Sequence, residues 1–461
     1  MIIRSGRVAL PDEEDFQPAD LRIEGEKIVE IGPSLSGSGE IIDAGGLCIL
    51  PGGIDPHVHF YDPGYTNRED FYHGCCAAAS GGITTVIDMP CTSIPPVTNK
   101  RNLLSKLSSI RKQAVVDYGL FGGVSRRSFD REFPGCMAEL AGWVLGFKTY
   151  FISGMDSFER LDPFRFGRVM QEAAASRLPV LVHAEDYDYV TNATREAMNE
   201  GSQPIHFYRS RPEIAERLAV LAALEIAEET GGDLHVVHIG TAQAARHFKR
   251  SALVKDNGKE AAPGPRMTCE TGPHYLHFDV EDFQAMGSSL KVTPPVKTPP
   301  NKQQLWDLLS DGTISFVASD HAPCQEQEKR TGSIWTDYSG IPGCGTLLPF
   351  TFSEGYGRGR LTLKRLLEVT SENAARRYGL FHRKGSIETG KDADLVIIDP
   401  DAQWKVEGAR SYSKGKITPF EGLVFRGRVL KTILRGRVIY DSERGVLAER
   451  GAGQFLRRQS R

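Results

Sequence analysis

Eight short runs of apolar, β-type residues recur along the middle of the chain. They lie at 48–59, 84–89, 116–124, 143–150, 179–185, 233–239, 267–271 and 314–320, with helical patterns between them. In the stretch 214–230, Ile214, Leu218, Leu221, Leu224 and Ala227 recur every three or four residues, which predicts an amphipathic helix. Strand–helix alternation of this kind implies a parallel sheet, because each helix returns the chain to the start of the next strand. Eight units imply closure into a (β/α)₈ TIM barrel, an α/β fold, over residues 51–382. A doubly wound open sheet is the other fold this alternation allows, but the first strand lacks the G-x-G-x-x-G turn that accompanies it.

The two ends have a different rhythm. Short strands at 2–10, 20–24, 27–31 and 41–43 are punctuated by Gly25, Gly32, Gly45 and Gly46, and the pattern returns at 393–399, 422–425 and 432–440. Neither end has enough strands for a core of its own. Residues 1–50 and 383–445 are therefore predicted to pair into one small composite β-sandwich domain beside the barrel. Residues 446–461 are left as a polar C-terminal tail, and 255–265 read as a polar loop.

A chain of 461 residues has room for both parts. Its formal net charge of −3 gives no reason to expect nucleic acid or a membrane surface as partner. Residues 1–16 carry no apolar secretory core, and no uncharged apolar stretch approaches the roughly 18 residues of a membrane span. The 8 cysteines form no C-x-x-C pair, which suits reduced thiols in a cytoplasmic protein.

The chemistry lies at the strand ends. His57 and His59 are two apart on one strand and so share a face. Alone, that spacing is more often incidental than metallic. His183, His238 and Asp320 end three further runs, and in a barrel every strand C-terminus faces the same rim. Imidazoles and a carboxylate converging there are the ligands that zinc and similar divalent ions take. Lys148 also ends a run. It reads either as a surface or ion-paired lysine or as an amine that takes up CO₂ to give a carbamate, an anion able to bridge two cations about 3.5–4 Å apart.

These positions sit in longer motifs: Leu50-Pro51-Gly52-Gly53-Ile54-Asp55-Pro56-His57-Val58-His59, Gly146-Phe147-Lys148, His183-Ala184-Glu185, Ser210-Arg211-Pro212, Glu270-Thr271-Gly272-Pro273-His274 and Ser319-Asp320-His321-Ala322-Pro323. Over nearly its whole length the chain resembles the amidohydrolase superfamily, and within it the cyclic amidohydrolases: dihydroorotase, allantoinase and hydantoinase. The resemblance implies a site with two divalent ions, zinc foremost. His57 and His59 would hold one ion and His183 and His238 the other, with carboxylated Lys148 between them. Asp320 would serve as both ligand and general base. It further implies attack of a bridging hydroxide on the carbonyl of a small cyclic amide, and a homo-oligomer, dimer or tetramer.

Substrate contacts are expected from Tyr61, Cys91, Tyr150 and His321, and a lid from 324–345. Tyr61 and Cys91 stand where dihydroorotases carry an Arg and an Asn, whereas several stretches lean toward allantoinases. The residues leave allantoinase-like and dihydroorotase-like rings side by side, with hydantoin-type rings third. A one-metal deaminase and a non-catalytic scaffold are the remaining alternatives.

Overall fold

The computed structural model describes residues 1–11, 13–37, 39–253 and 266–458, so the polar loop expected at 255–265 lies outside the described residues. Eight parallel strands form the barrel: Gly53–Val58, Ile83–Asp88, Asp117–Leu120 (continued by Gly122–Gly123), Phe147–Tyr150, Val180–His183, Leu234–Val236, Met267–Thr271 and Phe316–Val317. The ring closes where the His59 N–H donates to the His321 carbonyl at 2.8 Å, joining the last strand's end to the first.

One predicted run divides. In 48–59, Cys48–Pro51 belongs to the β-domain, paired with Ile2–Val8 and Leu395–Lys405, and the barrel begins only at Gly53. Gly52 makes this transfer possible: a Cβ there would come within 2.3 Å of Thr84 Oγ1. The β-domain is one nine-stranded sheet assembled from both termini. Its separate core draws Ile3, Leu21, Ile28 and Ile49 from one end and Leu395, Ile397 and Ile433 from the other.

Two expectations need correction. Helix Glu213–Thr230 forms as predicted, but Leu218 and Leu221 are exposed, and Ala215, Ala219, Ala223 and Ala227 are buried. Leu224 and Ala227 are buried as the pattern requires, and Ala215, Ala219 and Ala223 share the inner face with Val220, small side chains letting the helix backbone approach its neighbours closely. Residues 446–458 are not a free polar tail either. They run along the third strand, with hydrogen bonds from the Tyr118 N–H to the Gln454 carbonyl (2.9 Å) and from the Leu456 N–H to the Tyr118 carbonyl (2.7 Å). Leu456 seats in the barrel's inner core with Ile54, Phe121, Leu181, Phe316 and Tyr378.

A buried charge network joins the two domains. Lys384 donates to Asp117 and to Asp394, both at 2.6 Å, and lies 3.0 Å from Asp392; Arg435 also pairs with Asp117. Asp117 is the first residue of its strand, so this network sits at the end of the barrel opposite the rim.

Candidate metal centre

The strand C-termini bring together the six residues expected to hold metal. His57 Nε2 and His59 Nε2 lie 3.2 and 3.3 Å from Asp320 Oδ1. These three residues present ligand atoms within 4.8 Å of one another. His183 Nδ1 faces His238 Nε2 at 3.0 Å, and the His238 ring is 5.4 Å from that of His57. Lys148 Nζ is buried without a hydrogen-bond partner. Its charge is felt by His57, His183 and His238 alike, and burial pushes it down to about 8.

Burial would raise Asp320, yet the surrounding imidazoles hold it well below the usual carboxylate range. His238 (φ 37°), Asp320 (φ 48°) and Tyr61 (φ 58°) all adopt left-handed backbone, which is uncommon for such residues and concentrates at functional sites.

Two carboxylates support this group from behind. Glu270 Oε1 lies 2.5 Å from His57 Nδ1, and its other oxygen is 3.1 Å from His235 Nε2. Glu185 Oε2 lies 2.9 Å from His183 Nε2 and accepts from Arg211 at 2.5 Å. Burial opposes ionisation of both, but their partners bring each down to about 2. A carboxylate behind an imidazole fixes its tautomer and makes the opposite nitrogen a better donor. In this way His57 presents Nε2 to the centre and His183 presents Nδ1.

The model of the Amidohydrolase family matches residues 48–439. The chain belongs to that family. An allantoinase of Rubrobacter xylanophilus is 39% identical over 100% of this chain and 98% of its own length. An allantoinase of Solibacter usitatus is 34% identical over 99% and 96%. Among solved structures, an L-hydantoinase (dihydropyrimidinase) from Arthrobacter aurescens superposes with a TM-score of 0.91 at 30% identity, covering 99% of both chains. A dihydropyrimidinase from Brevibacillus agri does so with a TM-score of 0.89 at 29% identity, covering 100% of this chain and 99% of that one.

Around this amidohydrolase centre the four residues expected to touch substrate separate. Tyr150 stacks on His183 (5.4 Å between centroids), and its hydroxyl is 3.1 Å from Cys91 Sγ. Cys91 in turn lies 3.8 Å from His59 Nδ1. Both line the centre. Tyr61 is fully buried, its hydroxyl 2.5 Å from that of Tyr338. His321 corrects the expectation placed on it. Its Nδ1 accepts from the N–H groups of Gly343 (3.1 Å) and Cys344 (3.3 Å), and its Nε2 faces Glu69 at 3.3 Å. Successive strand residues point to opposite faces, so His321 serves the wall while Asp320 faces the cavity.

The segment 324–345 packs across the rim. Its Glu328 takes both Arg68 Nε (2.8 Å) and Nη2 (2.5 Å), and Trp335 donates to the Gly201 carbonyl at 2.8 Å. The side chain of Asp320 keeps 17% exposure, so the centre stays open to small molecules beneath this cover. No helix among the described residues is long and apolar enough to cross a membrane.

Glu270, Glu185, Arg211 and His274 were not among the ligands and contacts read from the sequence. His274 is buried, with Nε2 unpartnered, and burial lowers it to about 4 although the charge of Asp320 acts on it in the opposite sense. The available signals were a charged residue inside an apolar strand (Glu270) and an i+2 neighbour on the face of a ligand (Glu185).

Proposed function

We propose that this chain hydrolyses the ring of a cyclic ureide, allantoin foremost, at a centre holding two divalent cations. The observation that carries the reading is a buried Lys148 Nζ with no partner, set among four imidazoles and the Asp320 carboxylate. An isolated ammonium in such a place is unfavourable; its carbamate would supply the anion that a pair of cations needs.

The donor set fits that pair: His57, His59 and Asp320 for one cation, His183 and His238 for the other, carboxylated Lys148 common to both, and zinc suited to such nitrogen and oxygen ligands. Bound there, the cations supply Lewis acidity toward the ring carbonyl and make water nucleophilic at neutral pH. Asp320, already an anion, accepts the proton of the attacking water at a carboxylate oxygen. It then delivers that proton to the departing ring nitrogen, which as an amide anion would leave poorly. The Tyr150 hydroxyl donates toward the carbonyl oxygen as charge develops there. The segment 324–345 limits entry of bulk water.

Full-length identity of 39% and 34% to allantoinases favours the allantoin ring. Eight free, buried cysteines fit a reducing, cytoplasmic setting. The test is a panel of allantoin, hydantoin, dihydrouracil and dihydroorotate, assayed with zinc and bicarbonate supplied. Allantoin should be turned over fastest; faster hydrolysis of another ring, or of none, overturns the assignment.

A further inference from the structure

The two halves of the centre are backed by unequal charge. Behind His57, Glu270 is shared only with His235 Nε2 and the His238 backbone N–H at 3.3 Å. Among the described residues, no lysine or arginine pairs with it. His59 is steadied on its far side by Thr92 Oγ1, 3.2 Å from Nδ1. With Asp320 on the near side, the His57/His59 half carries two uncancelled carboxylates.

The other half is poorer. The charge of Glu185, behind His183, is offset by the Arg211 guanidinium on the same oxygen, and the Lys297 ammonium donates to the Arg211 carbonyl at 2.7 Å. His238 Nδ1 is buried with no partner, so no carboxylate stands behind that ring as Glu270 stands behind His57. Lys148, common to both halves, does not alter the difference.

A carboxylate behind an imidazole strengthens its hold on a cation, and a guanidinium cancelling that carboxylate removes most of the gain. We propose that the centre is asymmetric by construction. The cation at His57, His59 and Asp320 is retained, whereas the cation at His183 and His238 exchanges, because Arg211 neutralises the one carboxylate behind it. Glu270 and Glu185 are thus positioning residues of unequal weight. The inference rests on the two-cation reading above but not on which ring is hydrolysed.

The experiment equilibrates the zinc- and bicarbonate-loaded protein with increasing dipicolinate. Bound metal is counted by atomic absorption, and the ion left at half occupancy is located by anomalous X-ray scattering. Two release steps are expected, separated at least about tenfold in chelator, with the remaining ion beside His57 and His59. Glu270→Gln should weaken the retained ion by roughly 10–100-fold and close the gap, whereas Arg211→Gln, which leaves the Glu185 carboxylate uncancelled, should tighten the exchanging ion and narrow the gap from the other side.

Loss of both ions in one step, or survival of the ion at His183 and His238, overturns the asymmetry. An exchanging ion held no more tightly in Arg211→Gln overturns the role given to Arg211. Fewer than two ions bound in excess zinc ends the two-cation reading itself, and the asymmetry with it. Two ions bound without hydrolysis of any ring would refute only the assigned reaction.

Discussion

Buried charge is handled in opposite ways at the two ends of this barrel. At the domain junction, Lys384 and Arg435 are saturated by Asp117, Asp392 and Asp394, and no polar side-chain atom of these five is left without a partner. At the rim, Lys148 Nζ, His238 Nδ1 and His274 Nε2 are equally buried and have none. A closed network positions two domains; an open one is poised to receive something. Single unpartnered atoms such as Arg377 Nε and Tyr378 Oη occur elsewhere in the barrel, but at the rim three converge on one cavity.

The largest effect that could break this contrast is at the rim. Asp320→Asn should lower hydrolytic turnover by about 10²–10⁴-fold while leaving the thermal unfolding of the metal-free protein close to that of the parent. A comparable loss of both activity and folding would place Asp320 with the structural group. The mirror experiment is Lys384→Met, which removes the ammonium shared by three buried carboxylates. Denaturant unfolding should show a loss of about 3–5 kcal/mol, with activity per folded molecule retained.

Acid sharpens the same distinction. Burial would raise Asp392, but Lys384, Lys27 and Arg383 hold it down to about 2 against an ordinary 3.8. A depressed carboxylate contributes stability that is complete above its unfolded value and is lost as pH falls through the folded one. The denaturation midpoint should therefore drop between about pH 4 and pH 2, and drop less in Asp392→Asn. The smallest effect concerns the cover. Tyr338→Phe removes the hydrogen bond to Tyr61 and should raise KM roughly three- to tenfold with a lesser change in kcat. An unchanged KM would show that this contact does not guard the site.

Reading from the sequence worked best where local pattern and global topology coincide. His57, His59, Lys148, His183, His238 and Asp320 stand at the ends of five of the eight periodic runs, and closing those runs into a ring leaves one place for their side chains to meet. It worked least well for groups that act across the sheet. Glu270 touches His57 from 213 residues away, and Arg211 reaches Glu185 from a loop whose path no periodicity describes. Nor did spacing reveal that helix Glu213–Thr230 leaves Leu218 and Leu221 exposed and that Leu456 enters the barrel's inner core; both depend on the shape of the partner surface.

By itself, the sequence determined the strand–helix alternation, the union of both ends in one β-domain, and which imidazoles, amine and carboxylate reach the rim. Side-chain periodicity and chain direction are local properties, legible without coordinates. Only the tertiary structure decided which carboxylate stands behind which imidazole and which of those carboxylates is cancelled by a guanidinium. Those outcomes turn on distances of a few ångströms between segments remote in the chain, where electrostatic interactions are strong and sequence spacing carries no information.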